Sequence, residues 1–260
     1  MSHLRRVEED FEIENKESNS ARMENSQILE NLDQKLSHLC ATKREQLKEL
    51  INENKHLFPN IPTRTNKIFH DVDVGDAIPV KQYPYRMNPF KKEYLQKEIE
   101  YLLENDFIEP SNSSWSSPCV LVPKPDKTFR MCTDYRKLNA VTKTDSYPMP
   151  RIDDCIDKIG HSKYITKFDL LKGFWQIPLT DRAKECSAFV TPNGLYQYKV
   201  MPFGMKNSPA TFQRLINMII NGLENCDAYI DDVIIYNDTW EEHVTTIRRF
   251  FGQLSDAQKA

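Results

Sequence analysis

The residues best suited to chemistry lie in AYIDDVIIY, Ala228 to Tyr236, where Asp231 and Asp232 interrupt an apolar, β-branched run that reads as strand. A tight turn there would present both carboxylates at the edge of an apolar sheet. Two carboxylates held close repel, and one takes up a proton unless cations share the site. Mg²⁺ removes that conflict, because it prefers carboxylate oxygens and keeps water or substrate phosphates in its remaining positions. Asp169, at the end of the strand SKYITKF and before a break at Gly173, is the best-placed third carboxylate. An ordinary Asp-rich hairpin turn is the competing reading, and pattern alone weighs the two equally. The same letters recur at Ile152, Asp153 and Asp154, but there the carboxylates fall in the first turn of an expected helix, where solvent and the helix dipole favour them.

The elements that must position these residues can be read outward from the pair. CDAYIDDVIIYND reads as a hairpin with an acidic tip, followed by a helix over EEHVTTIRRFFGQL. Before it, Ser208 and Pro209 are expected to cap the helix ATFQRLINMIINGL, and SAFVTPNGLYQYKVMPFG reads as a hairpin turning at Asn193-Gly194. CVLVPK and FRMCTDY form a further hairpin, and a helix from Pro150 carries Ile152, Ile156 and Ile159 on one face. Asn88 and Pro89 supply an N-cap and first-turn proline for a helix striped by Tyr94, Leu95, Ile99, Leu102 and Leu103 and ended by Pro110. Upstream, HDVDVGDAIPVKQYPYR suits extended structure, and Thr42 with Glu45 gives a capping-box pattern in a helical segment. The first 35 residues, polar and carrying a net charge of about −4, read as a disordered leader.

Composition narrows the class. With 260 residues, 39% of them hydrophobic, the chain can bury a sizeable core. No run approaches the roughly 18 apolar residues of a membrane span, and no secretory signal opens the sequence, so no membrane partner is expected. Six cysteines lack metal-ligand or disulfide spacing and read as reduced, packed thiols. The formal charge of −3 argues against a nucleic-acid binder until its distribution is seen: Val122 to Lys143 alone carries about +4.

Several long motifs, in order from about Asp71 to Arg249, carry a resemblance. TKFDLLKGFWQIPL, MPFGMKNSPATFQRLIN, YIDD, FRMCTDYRKLNAVT and DFIEPSNSSWSSPCVLVPK together resemble the reverse transcriptases of gypsy-type LTR retrotransposons. The likeness implies an α+β fold with the fingers and palm of a right-hand polymerase, the palm an antiparallel sheet backed by helices. On that template residues 1–35 are leader, 36–75 helical segment and connector, 76–146 fingers, 147–178 palm, 179–207 a fingers hairpin, and 208–260 palm with the catalytic hairpin.

The resemblance also implies roles. Asp169, Asp231 and Asp232 would be catalytic, holding two Mg²⁺ ions, with Mn²⁺ as a possible substitute, together with the backbone carbonyl of Leu170. Phe174 matches the ring beneath the sugar that disfavours a ribose 2′-hydroxyl; a plain core phenylalanine is the alternative. Arg130 and Lys124 match the fingers residues that hold triphosphate, with Lys127 able to replace Lys124 and a solvated surface role open to either lysine. Phe203 and Gly204 lie in the loop nearest nucleotide and template, although the glutamine of retroviral relatives is absent there. Asp134 and Arg136 either touch template or form a structural ion pair, and Tyr229 either packs on the primer end or fills the sheet.

The implied activity is RNA-directed DNA polymerisation, with template, primer and dNTPs as partners and cytoplasmic particles as the location for an active element. The thumb, RNase H and other polyprotein parts of a full-length parent are expected to be missing. The alternative is a truncated, catalytically weak or inactive retrotransposon-derived fragment that only folds or binds nucleic acid, and residues 1–260 alone are expected to show weak or undetectable activity.

Overall fold

A computed structural model of the chain describes residues 25–126, 128–170 and 172–258. Helices α1 (Asn25–Glu30), α2 (Leu32–Lys35) and α3 (Ala41–Glu53) come first. The expected leader therefore gives way to helical turns by Asn25, where Leu32 finds a buried position; the earlier part of that leader lies outside the described residues. Helix α3 starts after Cys40, so Thr42 lies inside it and makes no cap. Its Leu50 is fully buried, and Trp240 Nε1 donates to Gln46 Oε1 at 2.6 Å, which fixes α3 to the far end of the chain.

The extended connector then runs to α4 (Pro89–Glu104), where Asn88 Oδ1 accepts the Lys91 N–H at 2.9 Å. Leu95, Ile99 and Leu102 are the buried stripe of α4. The helix ends at the Asn105 cap, with Asp106 left-handed at φ +58°, and Pro110 belongs to the following strand.

Strands β1 (Ile108–Pro110), β2 (Ser117–Pro123) and β3 (Phe129–Thr133) precede α5 (Arg136–Val141) and α6 (Ile152–Ile159). Next come β4 (Tyr164–Asp169), a 3₁₀ turn over Gly173–Gln176, α7 (Asp181–Cys186), β5 (Phe189–Thr191) and β6 (Gly194–Tyr198). The chain closes with α8 (Ser208–Ile219), β7 (Cys226–Tyr229), β8 (Asp232–Asn237) and α9 (Trp240–Gln258). Three local expectations shift. The β5–β6 turn is Pro192-Asn193, since Thr191 pairs with Gly194. The cap of α8 is Asn207, because Ser208 is already helical and its hydroxyl donates to the Pro202 carbonyl. On α6 the face carrying Ile152 and Ile156 is exposed, and Cys155 is the residue it buries.

Two sheets result. The first, in order β1-β6-β5-β2-β3, is antiparallel except for the parallel β2–β5 pair. The second, β4-β8-β7, is wholly antiparallel. Alternation decides its faces: Val233 and Ile235 are fully buried, and Phe168 meets Phe250 and Phe251 of α9 at ring separations of 5.3 and 5.6 Å. The opposite face of β4 leaves Ile165, Lys167 and Asp169 exposed. Helices thus back one face of this sheet, and the acidic edge stands on the other. All six cysteines are free thiols, four of them buried. No helix among the described residues is long and apolar enough to cross a membrane.

Candidate active site

The register of the second sheet brings the three aspartates together. Asp232 opens the central strand β8, directly opposite Asp169 of β4 on one side and Tyr229 of β7 on the other. Like charges directly across an antiparallel pair are destabilising, so this register costs stability unless positive charge is shared. Asp231 sits beside them in the two-residue turn Ile230-Asp231, and its backbone carbonyl accepts the Leu170 N–H at 3.1 Å.

Electrostatics single out Asp231. Its Oδ1 is buried with no hydrogen-bond partner. Burial pushes its carboxyl above the usual range, and the negative charges of Asp169 and then Asp232 push it further. Among the described residues no group of three His, Cys, Asp or Glu side chains already encloses a metal position. The donor set nonetheless fits a hard divalent cation: an orphaned carboxylate oxygen, two neighbouring carboxylates, and the Leu170 carbonyl, which accepts the Gly173 N–H at 3.0 Å and keeps a second lone pair.

One participant escaped the sequence reading. Lys167 Nζ lies 2.9 Å from Asp232 Oδ2, and this hydrogen bond, followed by the charges of Asp232 and Asp169, raises the lysine's pKa. The signal was present, since Lys167 is two residues before Asp169 and a strand's period of two puts both on one face.

Behind β4 the chain turns sharply. Lys172 is left-handed at φ +47°, and Gly173 approaches α8 so closely that an added Cβ would lie 2.4 Å from the Phe212 ring. This packing buries Phe174 against Phe212, with centroids 5.3 Å apart. On its other side Phe174 stacks on Phe203 at 5.0 Å and 29°, and Phe203 is 50% exposed. Gly204 follows at φ +94°, a conformation that favours glycine. Asn139, a second residue the sequence reading passed over, clips this loop: its Nδ2 donates to the Gly204 carbonyl at 2.8 Å and its Oδ1 accepts the Lys206 N–H at 2.9 Å.

The first sheet carries the remaining candidates. Arg130 of β3 pairs across from Val122 and points into solvent without an ion-pair partner among the described residues. Lys124 is half-buried, its N–H closing the hairpin loop on the Thr128 carbonyl at 2.8 Å, and Lys127 lies outside the described residues. Asp134 and Arg136 do pair, through Nε to Oδ1 at 2.8 Å and Nη2 to Oδ2 at 2.6 Å, and Tyr85 adds a hydroxyl hydrogen bond at 3.1 Å. The Arg136 guanidinium therefore holds the Asp134 carboxyl down at about 2. The Asp134 side chain is 11% exposed and that of Arg136 85%, so a pinned carboxylate holds a guanidinium that stays open to solvent.

The comparisons with known proteins agree with this geometry. Residues 122–258, just over half of the chain, match the family model for reverse transcriptase (RNA-dependent DNA polymerase). The retrovirus-related Pol polyprotein of transposon 297 from Drosophila melanogaster is 36% identical over 233 residues, 86% of this chain and 22% of the relative. That of transposon opus, from the same fly, is 38% identical over 189 residues, 70% of this chain and 19% of the relative. The chain thus spans about a fifth of the length of these polyproteins.

Among solved structures, a prototype foamy virus protease-reverse transcriptase superposes with a TM-score of 0.79 at 29% identity, over 91% of this chain and 32% of that one. A foamy viral protease-reverse transcriptase in complex with an RNA/DNA hybrid shares the fold, with a TM-score of 0.79 at 23% identity, over 92% and 32%. The two sheets are accordingly the fingers and the palm. Proteins of this kind generally use divalent metal ions, in keeping with the donor set around Asp231. From the family model, the polyprotein relatives and the shared fold, the chain belongs to the reverse transcriptase family.

Proposed function

We propose that this chain is the fingers and palm portion of an RNA-directed DNA polymerase, joining dNTPs to a primer 3′-hydroxyl on an RNA or DNA template. The observation that carries this reading is Asp231, a carboxylate with a buried unpartnered oxygen, held between Asp169 and Asp232 at the rim of the palm sheet. Asp169 and Asp231 would hold two Mg²⁺ ions in this reading, with Asp232 and the Leu170 carbonyl in support. Bound there, such ions supply a lowered pKa for the attacking hydroxyl and charge stabilisation for the departing pyrophosphate.

The protein's own side chains do the selecting and orienting. Phe174 packs between Phe203 and Phe212, and from that position its ring would exclude a ribose 2′-hydroxyl and favour a deoxynucleotide. Arg130 offers its planar fork to the triphosphate, with Lys124 as an accompanying point charge. Gly204 lets the loop backbone approach nucleotide and template. Arg136 presents its charge to a template phosphate while Asp134 fixes its direction, and Tyr229, across from Asp232, packs against the primer end. The duplexes held by foamy viral relatives, an RNA/DNA hybrid in one and double-stranded DNA in another, support a duplex partner here.

Primer extension on an RNA template with Mg²⁺ and dNTPs, run beside Asp231→Asn, tests the reading. Extension by the native chain that disappears in Asp231→Asn supports it. Equal incorporation by both proteins, or none by either this chain or a longer polyprotein form that carries it, overturns it.

A further inference from the structure

The turn that carries Asp231 is held in a conformation its sequence disfavours. Ile230 has φ +52°, a left-handed backbone that β-branched residues rarely adopt. No glycine relieves it, so an outside group has to hold it there. That group is Gln213 of α8, whose side chain is 0% exposed. Its Oε1 accepts the Ile230 N–H at 2.8 Å, and its Nε2 donates to the Ala228 carbonyl at 3.0 Å, so one amide grips the turn and the strand entering it.

The amide's direction is fixed in turn. Nε2 also donates to Asn217 Oδ1 at 2.9 Å, and Asn217 Nδ2 donates to the Tyr147 hydroxyl at 2.8 Å. Reversing the Gln213 amide would set an NH₂ against the Ile230 N–H and a carbonyl oxygen against the Ala228 carbonyl. A buried amide satisfied on both ends has one orientation, and here that orientation matches a strained turn.

We propose that Gln213 is a positioning residue for the catalytic turn: by holding Ile230 left-handed it aims the Asp231 carboxylate toward Asp169 and Asp232. This rests on the polymerase reading for its consequence in turnover, but not for its consequence in the backbone. Gln213→Met keeps the volume of the side chain and removes both grips, whereas Ile230→Gly removes the need for them, since glycine adopts positive φ freely.

Three measurements on the full chain decide it. The first is amide hydrogen exchange at Ile230, expected to accelerate about tenfold or more in Gln213→Met while protection of the α8 amides is retained. The second is primer extension, expected to lose about tenfold in kcat with the dNTP KM changed less than about threefold. The third is the same substitution in an Ile230→Gly background, where the kcat loss shrinks to about threefold or less. Unchanged exchange at Ile230, or an equal kcat loss in both backgrounds, overturns the proposal. Should Gln213→Met fail to fold, Asn217→Ala takes its place, since it frees the amide from its outer anchor: faster Ile230 exchange supports the proposal and native exchange overturns it. Absence of extension by both this chain and a longer polyprotein form that carries it would overturn the polymerase reading, while exchange at Ile230 would still judge Gln213.

Discussion

Asp134 in the fingers and Asp231 in the palm are two sequestered carboxylates treated in opposite ways. Asp134 receives Arg136 through two nitrogens and Tyr85 through its hydroxyl, and is held at about 2. Asp231 receives no cation among the described residues, keeps one oxygen unpartnered and faces two further carboxylates, and its pKa is raised. A carboxylate whose partners all lie within the protein has a structural task. One left in deficit beside others costs stability and is ready to be completed by something the chain does not contain.

The sharpest way to break this comparison is to neutralise each carboxylate separately. Asp231→Asn is expected to lower primer extension by about a thousandfold or more, because transition-state charge stabilisation is worth several kcal/mol. Its melting temperature should hold or rise at neutral pH. A folded pKa above the unfolded one means stability that is present at low pH and lost as pH rises through the folded value, so removing the charge removes that loss. Mg²⁺ should raise the melting temperature of the native chain and leave that of Asp231→Asn unmoved. A fall in melting temperature for Asp231→Asn equal to that for Asp134→Asn would erase the distinction between them.

Acid is the second lever, and His70 sets its scale. This imidazole is 1% exposed, and burial lowers its pKa to about 4, although Asp71 and Asp145 pull the other way. The unfolded chain protonates near 6.5 while the folded chain does so only near 4, so stability is complete above the first value and falls as pH drops toward the second. The loss expected between pH 7 and pH 4 is about 3 kcal/mol, and His70→Gln should remove most of that slope in urea unfolding series. The two carboxylates are therefore best compared at neutral pH or above, where His70 contributes little slope.

Smaller again is the effect at Asp134 itself. Asp134→Asn weakens charge-assisted hydrogen bonds and is expected to cost about 1 to 2 kcal/mol in unfolding free energy, with extension reduced less than about tenfold. A thousandfold loss of extension there would show that the pair serves the chemistry directly and would collapse the contrast with Asp231.

How much of this was legible in the sequence depends on whether a residue's task is local. The strand identities of β2, β3, β4 and β8 follow from short apolar, β-branched runs bounded by turn residues, and Asn88 and Pro89 announce α4, because each depends only on neighbours in the chain. The two Ile-Asp-Asp triplets separate for the same reason, one at a helix start and one in a hairpin. The facing of α6 was not legible, since period alone cannot say which face meets a partner. The face bearing Ile152 and Ile156 is apolar and yet exposed. Gln213 and Asn139 went unread because amide groups carry no periodic signal, and their roles exist only once α8 and the loop at Gly204 have met their partners, whereas the place of Lys167 beside Asp169 follows from the strand period of two.

Lys167 allows the finest test of the deficit in the palm. It is the only cation among the described residues that forms an ion pair with one of the three aspartates, and it does so from an exposed position on β4. An exposed ion pair contributes little to stability, so Lys167→Met should shift the melting temperature only slightly. Its effect on metal affinity is argued differently. If the ammonium and a divalent ion compete for Asp232, removing the ammonium should lower the Mg²⁺ concentration that half-saturates thermal stabilisation, by about two- to threefold. If instead Lys167 steadies Asp232 for the metal, the same substitution should raise it. Titrating Mg²⁺ against melting temperature in Lys167→Met separates the two, and a rise would show that Lys167 aims the Asp232 carboxylate, the reverse of the fingers, where Asp134 directs Arg136.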